Sequence, residues 1–143
     1  MSVLLIGGTP GTGKTKVAQV LGSRLGIKVF NLGDLADEND CLSAMDKARD
    51  TGVIDEDCLV SAVEELIEYE KGQIIIEGHY IDLVPFSAVE TVIILRTHPD
   101  TLKGRLIERE WSPDKIQENV ESEVIGVCQL DAIDSFGEEV VFE

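Results

Sequence analysis

Aromatic side chains make up only 5% of the 143 residues: one tryptophan, two tyrosines and four phenylalanines. A core built from this chain must rest on Val, Ile, Leu and Ala, and the 43% hydrophobic content supplies it. Basic residues are also scarce. Twelve Lys and Arg stand against 28 Asp and Glu, a formal net charge of −16. Such a surface repels phosphate backbones and anionic lipid, so direct binding to duplex nucleic acid is not expected. The charge fits a basic protein partner; it equally fits a plain solvated surface or adaptation to high salt. Long apolar runs are missing. Residues 92–95 are typical, far short of the roughly 20 residues that span a bilayer, and no membrane association is expected. The opening MSVLLIGGTP has no basic segment and meets glycines too soon for a signal peptide, so a cytoplasmic protein is expected. Cysteine is limited to Cys41, Cys58 and Cys128. The odd number and long spacings fit neither a disulfide framework nor a zinc site, and buried or idle thiols are expected.

What is present is alternation. Residues 3–6, 27–30, 73–76, 91–95 and 140–142 are short apolar runs that read as buried strands. Between them lie helical patterns. Val17, Val20, Leu21 and Leu25 recur at helical spacing after Lys14, and Gly26 stops that helix. Asp55 is placed to cap a helix to about residue 70, with Leu59, Val63, Leu66 and Ile67 inward. Pro99 opens a helix through Leu102 and Leu106; Pro113 opens another through Ile116, Val120, Val124 and Val127. Residues 34–45 read as short helices over a cleft. Strands alternating with helices predict an α/β fold: a five-stranded parallel sheet with helices on both faces, one domain over residues 1–143. The chain stops on its last strand, and a further C-terminal helix is expected of such a domain.

The strongest motif is Gly8-Thr9-Pro10-Gly11-Thr12-Gly13-Lys14-Thr15, which satisfies G-x-x-x-x-G-K-[ST] at every fixed position. Glycines let the loop turn back so that successive N–H groups converge on phosphate oxygens. The helix N-terminus adds a preformed positive end. Gly11, Thr12, Gly13, Lys14, Thr15 and Lys16 are thus the expected ATP ligands. Lys14 reaches the β- and γ-phosphates, and the Thr15 hydroxyl ligates Mg²⁺. The motif follows a strand and opens a helix, the context the chemistry requires.

Three further groups carry weaker signals. Arg105 and Arg109, four apart, share a helix face and repel each other unless an anion sits between them; the alternative is a solvated face paired with Glu108 or Glu110. Arg109 precedes a short unpatterned stretch that reads as a lid, and phosphoryl transfer uses such mobile arginines. Glu77-Gly78-His79 ends a strand, where open α/β sheets bind ligands. Glu77 is placed to hold Mg²⁺ through water. His79 either orients a water or phosphate, or is purely structural. Asn31, Gly33 and Asp34 sit at the end of the second strand, as a grip for a second substrate or as a turn alone.

These segments together resemble one family. The P-loop, Asn31-Leu32-Gly33-Asp34-Leu35-Ala36, Glu77-Gly78-His79, Leu95-Arg96-Thr97, Arg105-Leu106-Ile107-Glu108-Arg109 and the run from Lys115 to Glu123 are similar, in this order, to the adenylate kinase isoenzyme six family. That family, also called the coilin-interacting nuclear ATPase, belongs to archaea and eukaryotes. The resemblance implies a compact P-loop nucleoside monophosphate kinase fold with a short lid. It implies ATP with Mg²⁺, AMP or dAMP as acceptor, and some ATPase activity. It also implies a role in small ribosomal subunit maturation through a basic ribosomal protein, as a monomer or transient heterodimer, with nuclear residence in a eukaryote. By the match, residues 31–54 form the monophosphate-binding insertion, residues 108–118 the lid, and Arg109 the lid arginine on ATP. Glu77 stands where some members carry Asp, and the family continues past the last strand into an adenine-holding loop and a helix.

Overall fold

The computed structural model describes residues 2–42 and 54–143. Five strands form one parallel sheet in the order β2-β3-β1-β4-β5. They are β1 (Val3–Gly8), β2 (Lys28–Asn31), β3 (Ile74–Glu77), β4 (Val89–Leu95) and β5 (Val141–Phe142). The helices are α1 (Lys14–Leu25), α2 (Leu32–Glu38), α3 (Glu56–Tyr69), α4 (Pro99–Glu108), α5 (Pro113–Ile125) and α6 (Val127–Phe136). The α/β expectation holds.

The sheet is buried on both faces, and alternation divides its side chains between two cores. Val3, Leu5, Ile74, Ile76, Val92 and Ile94 point to the side covered by α2, α3 and α6. Ile6 and Ile75, with Leu4, Ile93 and Leu95, point to the side of α1. A third, smaller core of Leu102, Leu106 and Ile116, with Trp111 and Val120, holds α4 against α5 as a hairpin. The Lys115 ammonium lies 4.2 Å from the Trp111 ring centroid at its tip, a cation–π contact. Helix starts follow their caps: Asp55 accepts from the Cys58 N–H, Ser112 from Lys115 N–H and His98 from Asp100 N–H.

Three expectations are corrected. In α1 the buried positions are Lys14, Ala18 and Gly22, while Val17, Val20 and Leu25 are exposed by 39%, 47% and 55%. Close approach decides this: a Cβ on Gly22 would lie 2.4 Å from Val29 Cγ2 and 3.0 Å from the Ile27 carbonyl oxygen. The helix begun by Pro113 does not run through Val127. It stops at Ile125, because Gly126 adopts a left-handed conformation (φ 80°), and α6 starts anew. The cysteines are not all idle thiols. Cys41, after α2, and Cys58, in the first turn of α3, form a disulfide with a Cα–Cα distance of 5.4 Å; Cys128 is free. Their sequence separation of 17 hid this proximity. The helical reading of residues 43–45, and most of the 31–54 insertion beyond Leu42, lies outside the described residues.

Candidate functional site

The register brings the carboxyl ends of β2, β3 and β1 side by side: Asn31 pairs with Glu77, and Glu77 with Ile6. The chain leaves β1 toward β2 on one side and later returns to β4 on the other. This reversal opens a crevice above the sheet, the usual ligand position in open α/β folds. The P-loop crosses that crevice. Gly13, at the N-cap of α1, is left-handed (φ 91°, ψ 26°), which turns the loop into the helix. Gly11 (φ 92°) lies on the hairpin core: a Cβ there would sit 2.9 Å from Leu102 Cδ1.

Lys14 is 8% exposed. Its ammonium donates to the carbonyl oxygens of Gly8 (2.9 Å) and Thr9 (3.4 Å) and lies 3.3 Å from His79 Nδ1. Burial pushes its pKa down to about 8, against the opposing pull of the Glu77 carboxylate. Burial of the imidazole, then the Lys14 charge, push His79 down to about 4. The imidazole is therefore neutral at pH 7, and Nδ1 can accept from Lys14.

Glu77 is 1% exposed, yet its carboxylate is satisfied. Thr15 Oγ1 donates to it at 3.1 and 3.2 Å, and Asn31 Nδ2 donates to Oε1. Asn31 Oδ1 in turn accepts from the Asp34 N–H at 2.8 Å, capping α2. The turn expected at 31–34 is thus a helix start. A hydroxyl and a carboxylate are hard oxygen donors of the kind Mg²⁺ takes, with the rest of its shell left to water and phosphate. Among the described residues no cluster of three or more His, Cys, Asp or Glu could hold a metal ion.

The two arginines have separate positions. Arg105 donates from Nη1 to the Gly11 carbonyl at 2.9 Å and braces the P-loop. Arg109 caps the C-terminus of α4 and faces the cavity. Among the described residues, neither pairs with Glu108 or Glu110. The cavity has a volume of about 410 Å³. Gly11, Gly13, Lys14, Thr15, Lys16, Asn31, Gly33, Glu77, His79 and Arg109 line it. Three candidates stay outside its lining: Arg105, which bonds to the Gly11 carbonyl, Thr12, whose hydroxyl donates to the Thr9 carbonyl, and Asp34, whose backbone bonds to Asn31. Tyr80 lines the cavity too and was missed. Its one sequence signal is that it directly follows Glu77-Gly78-His79.

Among the described residues no helix is long and apolar enough to cross a membrane. The AAA domain family model matches residues 4–126. An adenylate kinase isoenzyme 6 homologue of Saccharomyces cerevisiae is 33% identical over 141 residues, covering 98% of this chain and 71% of its own. A protein of Pyrococcus furiosus named as an adenylate kinase is 39% identical over 137 residues, covering 92% of this chain and 69% of its own. Among solved structures, shikimate kinase from Bacteroides thetaiotaomicron superposes with a TM-score of 0.65 at 17% identity, over 99% of this chain and 85% of its own; this likeness concerns the fold. The nucleotide-phosphate loop, the fold and the near full-length similarity agree: the chain belongs to the adenylate kinase isoenzyme 6 family of P-loop kinases.

Proposed function

We propose that this protein transfers the γ-phosphate of ATP to AMP or dAMP, and hydrolyses ATP when water replaces the acceptor. The observation that carries the reading is that one cavity is lined by the P-loop residues Gly11 to Lys16 other than Thr12, by Arg109, and by Asn31, Gly33, Glu77 and His79, with Glu77 bonded to both Thr15 and Asn31. The P-loop suits the donor triphosphate and Asn31 and Gly33 an acceptor phosphate, so that both meet at Glu77.

The residues divide the work. P-loop N–H groups and the α1 N-terminus take the β- and γ-phosphates. Lys14 exchanges its bonds to the Gly8 and Thr9 carbonyls for phosphate oxygens, which relieves its desolvation. Lys16 takes the α-phosphate through its backbone. Mg²⁺, when bound, neutralises charge on the phosphates; Thr15 and, through water, Glu77 would hold it. Neutral His79 orients the incoming oxygen. Arg109 closes from the lid onto the charge that develops as the phosphoryl group moves. Asn31, Gly33 and Asp34 hold the acceptor side. Measuring ADP formation with and without AMP tests this: a rate that AMP and dAMP both fail to raise rejects the kinase reading.

A second reading is supported by charge. A net −16 exceeds what a small-molecule kinase needs. A separate cavity of about 330 Å³, which shares His79 with the phosphate cavity, is lined by Asp82, Asp131 and Asp134. Both features favour a cationic partner. In this reading the protein binds a basic ribosomal protein of the small subunit and gates its release with ATP during subunit maturation.

A further inference from the structure

Glu123, on α5, is 2% exposed. A buried carboxylate is unfavourable unless its lone pairs are met, so its partners show what it holds. Oε1 accepts from Thr9 Oγ1 and from Arg96 Nε, both at 3.2 Å. Oε2 accepts from the Thr97 N–H at 2.6 Å. Arg96 Nη2 also donates to the Glu123 backbone carbonyl at 2.6 Å, and Nη1 reaches the Glu143 carboxylate at 3.0 Å. One side chain thereby joins the P-loop, the segment after β4 and the base of the lid hairpin. Gly126 completes the joint, since a Cβ there would lie 3.3 Å from Arg96 Nη1. Leu95-Arg96-Thr97 and the run ending at Glu123 are the two sequence stretches that the phosphate cavity itself does not use.

Thr9 is the link that bears on chemistry. It is 2% exposed, and the Cys128 sulfur lies 3.8 Å from its hydroxyl. Its carbonyl accepts from Thr12 Oγ1 at 2.8 Å, from the Thr12 N–H at 3.3 Å and from Lys14 Nζ at 3.4 Å. The hydroxyl held by Glu123 and the carbonyl that seats Lys14 belong to one residue. Rotation of Thr9 would move both.

We propose that Glu123 is a positioning residue for phosphoryl transfer. Acting through Thr9, it sets the P-loop conformation that presents Lys14 and ties that conformation to the base of the hairpin carrying Arg109. The inference rests on the donor-site reading given above. The competing role is a staple that neutralises Arg96 and fixes α5 to the sheet. The two differ in whether the Thr9 hydroxyl matters.

Two substitutions separate them. Glu123→Gln keeps the shape but removes the charge and turns one acceptor oxygen into a donor, so the hold on the Thr9 hydroxyl weakens whichever way the amide turns. Thr9→Val removes the hydroxyl and leaves Arg96, Glu123 and Thr97 joined. Thermal unfolding, Mg-ATP affinity by calorimetry and the maximal rate of ADP formation are measured on the full chain. Each variant is expected to lower ATP affinity and maximal rate about tenfold. The double variant falls no further than Glu123→Gln, because both cut the same link. Thr9→Val leaves the melting temperature near wild type. Wild-type affinity and rate in Thr9→Val, or penalties that multiply in the double variant, would overturn the proposal in favour of the staple. If Glu123→Gln does not fold, Thr9→Val alone decides. A wild-type protein that binds ATP without forming ADP rejects the phosphoryl-transfer reading, and the affinity comparison still decides whether Glu123 positions the loop. A wild type that binds no ATP rejects both.

Discussion

Lys14 holds its ammonium 2.9 Å from the Gly8 carbonyl oxygen and 3.3 Å from His79 Nδ1. Its place in the motif predicts a phosphate contact, and its burial against two carbonyls shows an ammonium held without bulk water. Lys14→Ala is expected to lower turnover by about 10²–10³-fold, the scale for losing one electrostatic contact to the transition state. The fold should survive, because the lost group is a desolvated charge rather than core hydrocarbon; wild-type turnover in the purified variant would reject the assignment. The depressed pKa adds a pH dependence. Below pH 8 Lys14 is charged with or without phosphate, so ATP affinity is flat. Phosphate favours the charged form and raises the pKa of the complex. Above about pH 8 the free protein loses the proton first, and ATP affinity falls, approaching tenfold per pH unit. Calorimetry from pH 7 to 9.5 checks this, and Lys14→Met should flatten the profile. These contacts were legible because the motif is contiguous. Glu123 was not read as part of the site, because its bond to Thr9 spans 114 residues and a Glu within a polar helix carries no mark of burial.

At the scale of elements, the strands were readable because a strand buried on both faces must be apolar throughout, as Ile74, Ile75 and Ile76 are. The face of α1 was not. Valines at helical spacing imitate a core stripe, whereas the sheet demands small residues where backbone nears backbone. Gly22→Ala tests that account. Alanine gains roughly 1 kcal/mol of helix propensity, yet its methyl meets Val29 and the fixed Ile27 carbonyl. Overpacking of this kind costs about 1–3 kcal/mol, so a net loss of stability is expected in denaturant titration. Neutral or raised stability would show that α1 can shift away from β2. The α4–α5 hairpin, proposed as the lid, poses a different question. Arg109 stands where α4 ends, beyond the hairpin core of Leu102, Leu106 and Ile116. An arginine carried by a lid, as proposed above, acts mainly on charge that develops during transfer. Arg109→Ala is therefore expected to reduce the maximal rate by about 10²-fold or more while ATP affinity changes several-fold at most. Lost affinity with an unchanged maximal rate would make Arg109 a ground-state ligand and end the lid reading.

For the whole molecule, the charge is the feature least explained by nucleotide chemistry. A phosphate site must overcome a field of −16, and in the proposed function the helix-end N–H groups, Lys14 and Lys16 do so locally, with Arg109 from the end of α4. The same field acts unopposed elsewhere. It attracts a basic protein and repels a phosphate backbone, which motivates the partner prediction. Steering by such a field depends on its reach, and the Debye length shrinks from roughly 30 Å at 0.01 M salt to about 10 Å at 0.1 M. Association with the proposed partner, a basic small-subunit ribosomal protein, should therefore slow about tenfold or more across that range. Dissociation, governed by short-range contacts, should change far less. Stopped-flow mixing at several salt concentrations separates the two rates. If association is insensitive to salt, the acidic surface is not steering the partner, and its role is solvation alone. Co-purification from the source cell at moderate salt gives the stricter test: a protein recovered without any ribosomal protein, at every nucleotide state tried, leaves a monophosphate kinase and no assembly role.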